Sequence, residues 1–354
     1  MTDGSSDVVW SEQRTTPDAV EAALRELATR RYAESPEFVP ARVLNMIAFV
    51  DREWSGEIAN RLAGVGRYHA SRLLVLAYEP RREQLGARVT IASERRAPGE
   101  PGLLRETVVM EIGERHLDDL LTIADPLLVT DLPTLLWSPH GHPDALDALM
   151  PLAQAVQLDS VDEPVWREAI DRACALSRQA YVVDLAWLRS TPWRERTAAI
   201  FDPVARRADL GSITKVALRH HPASTVTGML FLGWLASRLR WSVEPLLSHA
   251  QALIGKARAR RHDVALRLQA APEQQVRGLA GVSMETSAGR HLSLDRGPGG
   301  LHARASERGG GQRTWTLLGA SRGERGILGE GIRQALLRDP TYVPALEAAQ
   351  AMLP

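Results

Sequence analysis

The chain has 354 residues, enough for two or three domains at roughly 100–200 residues each. Hydrophobic residues at 44% and charged residues at 24% give the balance of an ordinary soluble globular protein that buries a sizeable core. A formal net charge of zero leaves no global field to recruit nucleic acid or anionic lipid, and the single cysteine, Cys174, excludes an intramolecular disulfide and a multi-cysteine metal site.

Residues 1–8 read as disordered and lack the charged and apolar regions of a secretory signal. Thr16-Pro17-Asp18 opens a helix with Val20, Ala23, Leu24, Leu27 and Ala28 at helical spacing. Val43–Val50 reads as a buried strand, Gly56–Gly64 as a helix and Ser71–Tyr78 as the next strand, a βαβ unit that predicts parallel pairing. Ala87–Ser93 and Arg105–Ile112 alternate with no helix between them, so an antiparallel pair is expected. His116–Ala124 reads as a helix. The run 125–137 reads as an apolar strand bracketed by prolines and ending on a large aromatic, with Leu132–Ser138 as the strand in the α/β alternation.

Pro143–Ala155 is then expected as a helix, Val156–Ser160 as a short strand, and Trp166–Gln179 as an amphipathic helix that buries Cys174 as a packing thiol. Thr191 reads as the N-cap of a helix over Trp193–Phe201, with Pro192 in its first turn and Glu195 near the reciprocal capping place. Ile213–His220 is a strand and Ser224–Leu239 a helix. After Lys256-Ala-Arg-Ala-Arg-Arg261 the texture changes to short alternating segments, Val264–Gln269, Gly281–Thr286, His291–Asp295, Leu301–Ser306 and Thr314–Leu318, with Gly309, Gly310 and Gly311 as one hairpin loop. Helices over Ile327–Leu337 and Tyr342–Met352 follow.

The fold class expected is therefore α/β: a helix-covered mixed, largely parallel sheet, then a small antiparallel β-rich C-terminal module and two terminal helices. The domains expected are 9–124, an N-terminal α/β domain; 125–255, a Trp-rich central α/β domain; and 262–354, a β-meander with two helices. The longest apolar stretch of helical character, Val226–Leu235, falls short of the roughly twenty residues that span a membrane. The chain reads as cytoplasmic, with no membrane contact.

Catalytic patterns are weak throughout. Gly64-Val-Gly66-Arg-Tyr-His69 ends a helix and precedes a strand, the reverse of a dinucleotide fingerprint, so it reads as a helix-terminal turn. Gly326–Gly331 and Gly297–Gly300 lack the Lys-Ser/Thr of a phosphate loop. His140-Gly-His142-Pro-Asp144 lies past a strand end but has no third ligand at helical spacing, and His220 and His221 face opposite ways on a strand; no metal or cofactor is expected. Asp159, Asp162, Glu163 and Asp184 read as solvated carboxylates. Arg72, with His69 beside it, is the candidate anion-binding group at a sheet edge. Residues 256–325 hold thirteen basic and six acidic side chains, read as an arginine-rich solvated surface rather than a nucleic-acid site. Only Lys215 and Lys256 are lysines, which reads as the codon bias of a high-GC genome.

The nine tryptophans outnumber the four phenylalanines, and most fall in the middle of the chain. Tryptophan and arginine are favoured interface anchors, although a tryptophan also buries a large area in a core. Trp193, Arg194 and Arg196, on what reads as an exposed helix start, are the leading partner-binding candidates, with Trp137 and Trp187.

Seven segments in order, Arg42-Val-Leu-Asn-Met-Ile47, His69-Ala-Ser-Arg-Leu-Leu-Val-Leu76, Glu106-Thr-Val-Val-Met-Glu111, Pro126-Leu-Leu-Val-Thr-Asp-Leu-Pro133, Asp184-Leu-Ala-Trp187, Thr191-Pro-Trp-Arg-Glu195 and Leu232-Gly-Trp-Leu-Ala-Ser-Arg-Leu239, resemble the OpcA family of actinobacteria and cyanobacteria. The resemblance implies a non-catalytic assembly factor and allosteric activator that binds glucose-6-phosphate dehydrogenase in the oxidative pentose phosphate pathway, here as an actinobacterial member. It implies that dehydrogenase as the partner and no enzymatic activity. Cyanobacterial members are associated with cysteine-based redox control, which a lone Cys174 cannot supply within the chain. The residues themselves leave open an α/β enzyme or small-ligand-binding protein using strand-end loops 137–144 and 159–163.

Overall fold

The computed structural model describes residues 8–34, 38–39, 42–65, 71–94, 102–307, 310–318 and 323–354. The chain divides into two compact units, one made of residues 1–158, 179–183 and 328–337, the other of 159–178, 184–327 and 338–354.

The first unit is built on β1 (Val8–Glu12), α1 (Pro17–Glu34), β2 (Phe38–Val39), β3 (Leu44–Asp51), α2 (Ser55–Val65), β4 (Ser71–Tyr78), β5 (Gly86–Glu94), β6 (Gly102–Ile112), α3 (Leu120–Ala124), β7 (Thr134–Trp137), α4 (Pro143–Leu149), β8 (Ala155–Leu158) and β9 (Tyr181–Asp184). Its sheet runs β1-β5-β6-β4-β3-β7-β8-β9, with β2 against β6. Strands β6, β4, β3, β7 and β8 are parallel, and β5 returns antiparallel between β1 and β6. The centre is apolar on both faces, as helix-covered parallel strands require: Ile47, Ala48, Val50, Leu74, Val75, Leu76 and Ala77 have no solvent exposure. After β3 the chain builds outward on one side as β4 and β6, then returns to the other side as β7. The strand order therefore reverses between β3 and β7, the place where open α/β sheets form a crevice at their carboxyl ends.

The second unit contains α5 (Trp166–Ser177), α6 (Leu185–Arg189), α7 (Thr191–Phe201), α8 (Val204–Arg207), β10 (Ile213–His220), α9 (Thr225–Leu239), β11 (Ser242–Val243), β12 (Leu247–His249), β13 (Ala252–Arg258), β14 (Asp263–Ala270), β15 (Leu279–Thr286), β16 (His291–Gly297), β17 (Gly300–Ser306), β18 (Gln312–Leu318) and α11 (Tyr342–Ala351). Helix α10 (Gly323–Leu337) begins in this unit and is assigned to the first from Leu328. The sheet order is β11-β13-β14-β10-β15-β16-β17-β18, with β12 on β13. Only β10 and β14 are parallel; every other registered pair is antiparallel.

Helix α9 is apolar nearly all round because it is covered on two sides, by the sheet at β10 and β14 and by α5 and α11. Two glycines set those approaches. A Cβ on Gly228 would strike the Leu268 side chain of β14, and one on Gly233 would strike the Ala345 carbonyl of α11.

Several sequence expectations are corrected. Of the run 125–137 only Thr134–Trp137 is strand. Asp125–Leu127 is a 3-10 turn, and Asn45 holds the following loop, donating to the Val129 carbonyl at 3.0 Å and accepting from the Val129 amide at 2.9 Å. The helix expected through Ala155 stops at Leu149, because Pro151 has no N–H to continue it. Residues 114–119 are 3-10 before α3 begins. Ser190, not Thr191, stands at the N-cap of α7, and no side chain caps it. The basic run at 256–261 begins inside β13 rather than marking a break. Val8, expected in a disordered start, begins β1. Strands β10, β14 and β15 share hydrogen bonds, so the expected boundary between 125–255 and 262–354 cuts through one sheet. Gly66, His69 and Gly309 lie outside the described residues.

Candidate functional site

In the second unit a buried polar network forms where three separate pieces of chain enter it, at Asp159, Asp184 and Arg338. Asp184 ends β9 and starts α6. Its Oδ1 accepts from the backbone amides of Ala186 at 2.9 Å and Ser160 at 3.2 Å, and its Oδ2 accepts from the Ser160 hydroxyl at 2.6 Å and the Tyr342 hydroxyl at 3.2 Å. Burial pushes this carboxyl up to about 6. The Asp159 charge adds to that rise, while the hydrogen bonds from Ser160 and Ala186 oppose it. Asp159 is itself clasped by both ends of the Arg189 guanidinium, at 2.7 and 2.6 Å.

Alongside, the Arg194 guanidinium lies over the Trp187 indole, 3.4 Å from the ring centroid, the geometry of a cation–π contact. Arg194 donates to Ser190 Oγ at 3.1 Å and Thr191 Oγ1 at 2.9 Å, and stands 3.7 Å from Asp339 Oδ2. The Trp187 indole N–H donates to the same Asp339 oxygen at 2.9 Å, while Asp339 Oδ1 accepts from the Thr341 amide and hydroxyl at 2.8 and 2.6 Å. Burial would raise the Asp339 carboxyl, but these hydrogen bonds and the Arg194 charge hold it below its ordinary value. Burial draws Arg194 down to about 10, against the pull of Asp339 and Glu195.

In the first unit the carboxyl ends of β3, β4 and β7 carry Asp51, Tyr78 and Trp137. His142, left-handed at φ 61°, sets its ring 5.0 Å from Phe49 and 5.7 Å from Tyr78. Its Nε2 lies 3.1 Å from Asp51 Oδ1, within ion-pair range but not aimed along a hydrogen bond. The His140 ring lies 5.6 Å from that of Trp54, the two planes inclined at 50°. Among the described residues no group of three or more His, Cys, Asp or Glu could hold a metal ion.

The expected site residues fall mainly in the interior. Trp193, Trp187 and Trp137 are 1%, 2% and 5% exposed, so the exposed helix start expected at Trp193 is corrected: α7 turns that ring into the core. Arg194 is buried, and Arg196 is half-buried with an Nε that meets no hydrogen-bond acceptor among the described residues. Arg72 is not a vacant anion site. Its Nε donates to Glu106 at 2.8 Å and its Nη1 to the Leu127 carbonyl at 3.1 Å, while Arg42 pairs with the same carboxylate. His69 lies outside the described residues. Asp184, read as solvated, is 1% exposed, and Asp159 is taken up by Arg189. Cys174 is buried as expected, and that burial pushes its thiol up to about 11. Sequence reasoning missed Ser160, Asp339 and Tyr342 altogether. Asp184-Leu-Ala-Trp187 and Thr191-Pro-Trp-Arg-Glu195 were the signals that pointed at the network.

A family model described as the glucose-6-phosphate dehydrogenase subunit N-terminal domain matches residues 63–174, and one described as the C-terminal domain of that subunit matches residues 180–346. A Synechocystis relative named OpcA, placed provisionally in the OxPP cycle, is 29% identical over 33% of this chain and 25% of its own length. A namesake from Nostoc punctiforme is 33% identical over 32% of this chain and 26% of its own. The chain thus matches about a quarter of the length of these relatives, which are cyanobacterial rather than the expected actinobacterial. Among solved structures, the WlbA dehydrogenase of Thermus thermophilus in complex with NAD and alpha-ketoglutarate aligns at 14% identity, over 88% of this chain and 96% of that one, with a TM-score of 0.42. An overlap that loose says nothing about chemistry. The two family models between them take in most of the chain, their boundary falls where α5 gives way to β9, and the protein belongs to the OpcA family.

Proposed function

We propose that this protein is a non-catalytic assembly subunit of glucose-6-phosphate dehydrogenase, acting in the oxidative pentose phosphate cycle. One observation carries the reading. Two of the segments that carry the family resemblance, Asp184–Trp187 and Thr191–Glu195, are spent on a buried fastening that joins distant pieces of chain, and their polar groups bond mainly to one another. Residues engaged in holding a scaffold together are not free to take part in turnover, which fits a role in protein contact. As an activator it would bind the active dehydrogenase form more tightly and shift its population by that difference in affinity. The test is an assay of the cognate dehydrogenase at low glucose 6-phosphate with this protein titrated in. A saturable rise in rate with co-elution on a sizing column supports the reading, and a flat response with separate elution rejects it.

A second reading, of a small-ligand or enzymatic site, draws on the His142–Asp51–Tyr78 grouping at the strand-order reversal of the first unit. His142→Ala and Asp51→Asn separate the two. Under the assembly reading, stimulation of the dehydrogenase survives both changes; under the second, wild type does not stimulate, and both changes abolish small-ligand binding with the fold intact.

A further inference from the structure

Two large exposed hydrophobics of the second unit lie on loops that meet. Val165, 42% exposed, precedes α5, and Val276, 52% exposed, lies between β14 and β15. Arg277 Nη1 donates to Asp162 Oδ1 at 2.5 Å and draws the loops together. Trp166 follows Val165 and is half-buried, with the Arg167 guanidinium 4.6 Å from its ring centroid. Water-exposed valines beside a tryptophan and an arginine have the composition of an interface centre.

Both loops are fixed from behind. On the first, the Asp162 amide donates to the Asp159 carbonyl at 2.9 Å, Asp159 is clasped by Arg189, and Ser160 is bonded twice to Asp184. On the second, Gln274 Nε2 donates to the Val276 carbonyl at 3.0 Å and the Gly278 amide to Ser224 Oγ at 2.9 Å. The buried network thus has an outward result: it anchors the base of the first loop, and an anchored loop loses less entropy when a partner docks.

Charge names the kind of partner. Asp162 is neutralised by Arg277 and Glu273 faces Arg219 at 3.7 Å, but the exposed Glu163 and Glu168 have no ion pair among the described residues. A second copy would bring the same two carboxylates toward one another with only the stacked Arg167 to meet them. We propose that loops 162–167 and 273–277 form a docking surface for a basic, apolar-tipped segment of another protein. Resting on the assembly reading, that protein is the dehydrogenase.

The test compares wild-type protein with Val165→Asp/Val276→Asp and with Glu163→Lys/Glu168→Lys, all full-length, in the stimulation assay and on the sizing column. The substituted side chains are exposed, and an unchanged melting temperature checks that each variant folds; the lysine pair carries the test if the aspartate pair does not. The half-saturating concentration is expected to rise at least tenfold in both variants. Folded variants that stimulate like wild type, while wild type itself co-elutes, overturn the docking surface and leave the assembly reading standing. A wild type that neither stimulates nor co-elutes overturns both. A wild-type dimer that the variants break assigns the surface to a second copy and overturns the proposal.

Discussion

Glu106 in the first unit and Asp184 in the second are 3% and 1% exposed, yet their neighbours differ in kind. Glu106 on β6 is the register partner of Arg72 on β4 and is also reached by Arg42. Burial alone would raise its carboxyl, but the two guanidiniums outweigh that and hold it below the ordinary value. Asp184 meets only neutral donors, two hydroxyls and two backbone amides, and burial wins. Hydrogen bonds satisfy a carboxyl without fixing its charge; a buried cation fixes it. One unit therefore carries a locked ion pair at its sheet, and the other a group that titrates near the physiological range.

The largest test of that contrast removes the locked charge. Glu106→Ala strands Arg72, itself buried, and is expected to cost about 3–5 kcal/mol in urea unfolding, as broken buried pairs do. A cost under about 1 kcal/mol would mean the arginines find water instead. Next comes the pH dependence of Asp184. Its folded value of about 6 lies above the ordinary 3.8. The stability it contributes is therefore full below 3.8 and is lost as pH rises through about 6, a change of about 3 kcal/mol at 1.36 kcal/mol per unit. Asp184→Asn should flatten that fall in unfolding free energy, measured from pH 4 to 7. Glu106 slopes the other way, its contribution present above its ordinary value and lost as pH falls, so Glu106→Gln should remove an opposite trend.

A smaller effect is expected at Arg194. Arg194→Ala gives up the stack on Trp187 and the bonds to Ser190 and Thr191, about 2 kcal/mol by chemical denaturation. Lysine should recover less than half, because it has no planar fork to lie on the indole. Smallest and sharpest is Asp159→Asn. The Asp159 charge helps raise Asp184, so its removal should lower the Asp184 midpoint by less than about one unit in a carboxyl NMR titration. An unchanged midpoint would assign the rise to burial alone.

Local pattern carried much of the fold. Ser71–Tyr78 and Ile213–His220 are strands with the bounds their apolar runs imply, and Gly86–Glu94 and Gly102–Ile112 pair antiparallel as their alternation requires. What periodicity could not show was partnership at a distance. The meander from β14 onward read as a separate module because nothing in it announces that β10, far earlier, lies beside both β14 and β15. Strand β13 was hidden by Lys256 and Arg258, whose exposed side chains alternate with buried Ala257. The network failed to show for the same reason. Asp184 is buried by Ser160 and Tyr342, one from an earlier loop and one from α11, and a carboxylate whose cover comes from elsewhere looks solvated in its own stretch of chain. Trp193 misled in the opposite direction, since Arg194 and Arg196 just after it made a core ring look like a surface one.

The central place of β10 also sets an order of events. As the chain is synthesised, the first unit's parallel centre, β3 through β8, has all its strands by Leu158. β10 must wait for β14 and β15, up to Thr286, before both edges are paired, and the side of α9 that faces α5 stays only partly covered until α11, from Tyr342, arrives. Late, long-range closure of this kind is slow and leaves apolar surface open to misassembly. A nascent chain of this protein therefore spends its most vulnerable interval with the parallel strands of one unit in place and the helix at the heart of the other still partly exposed to water.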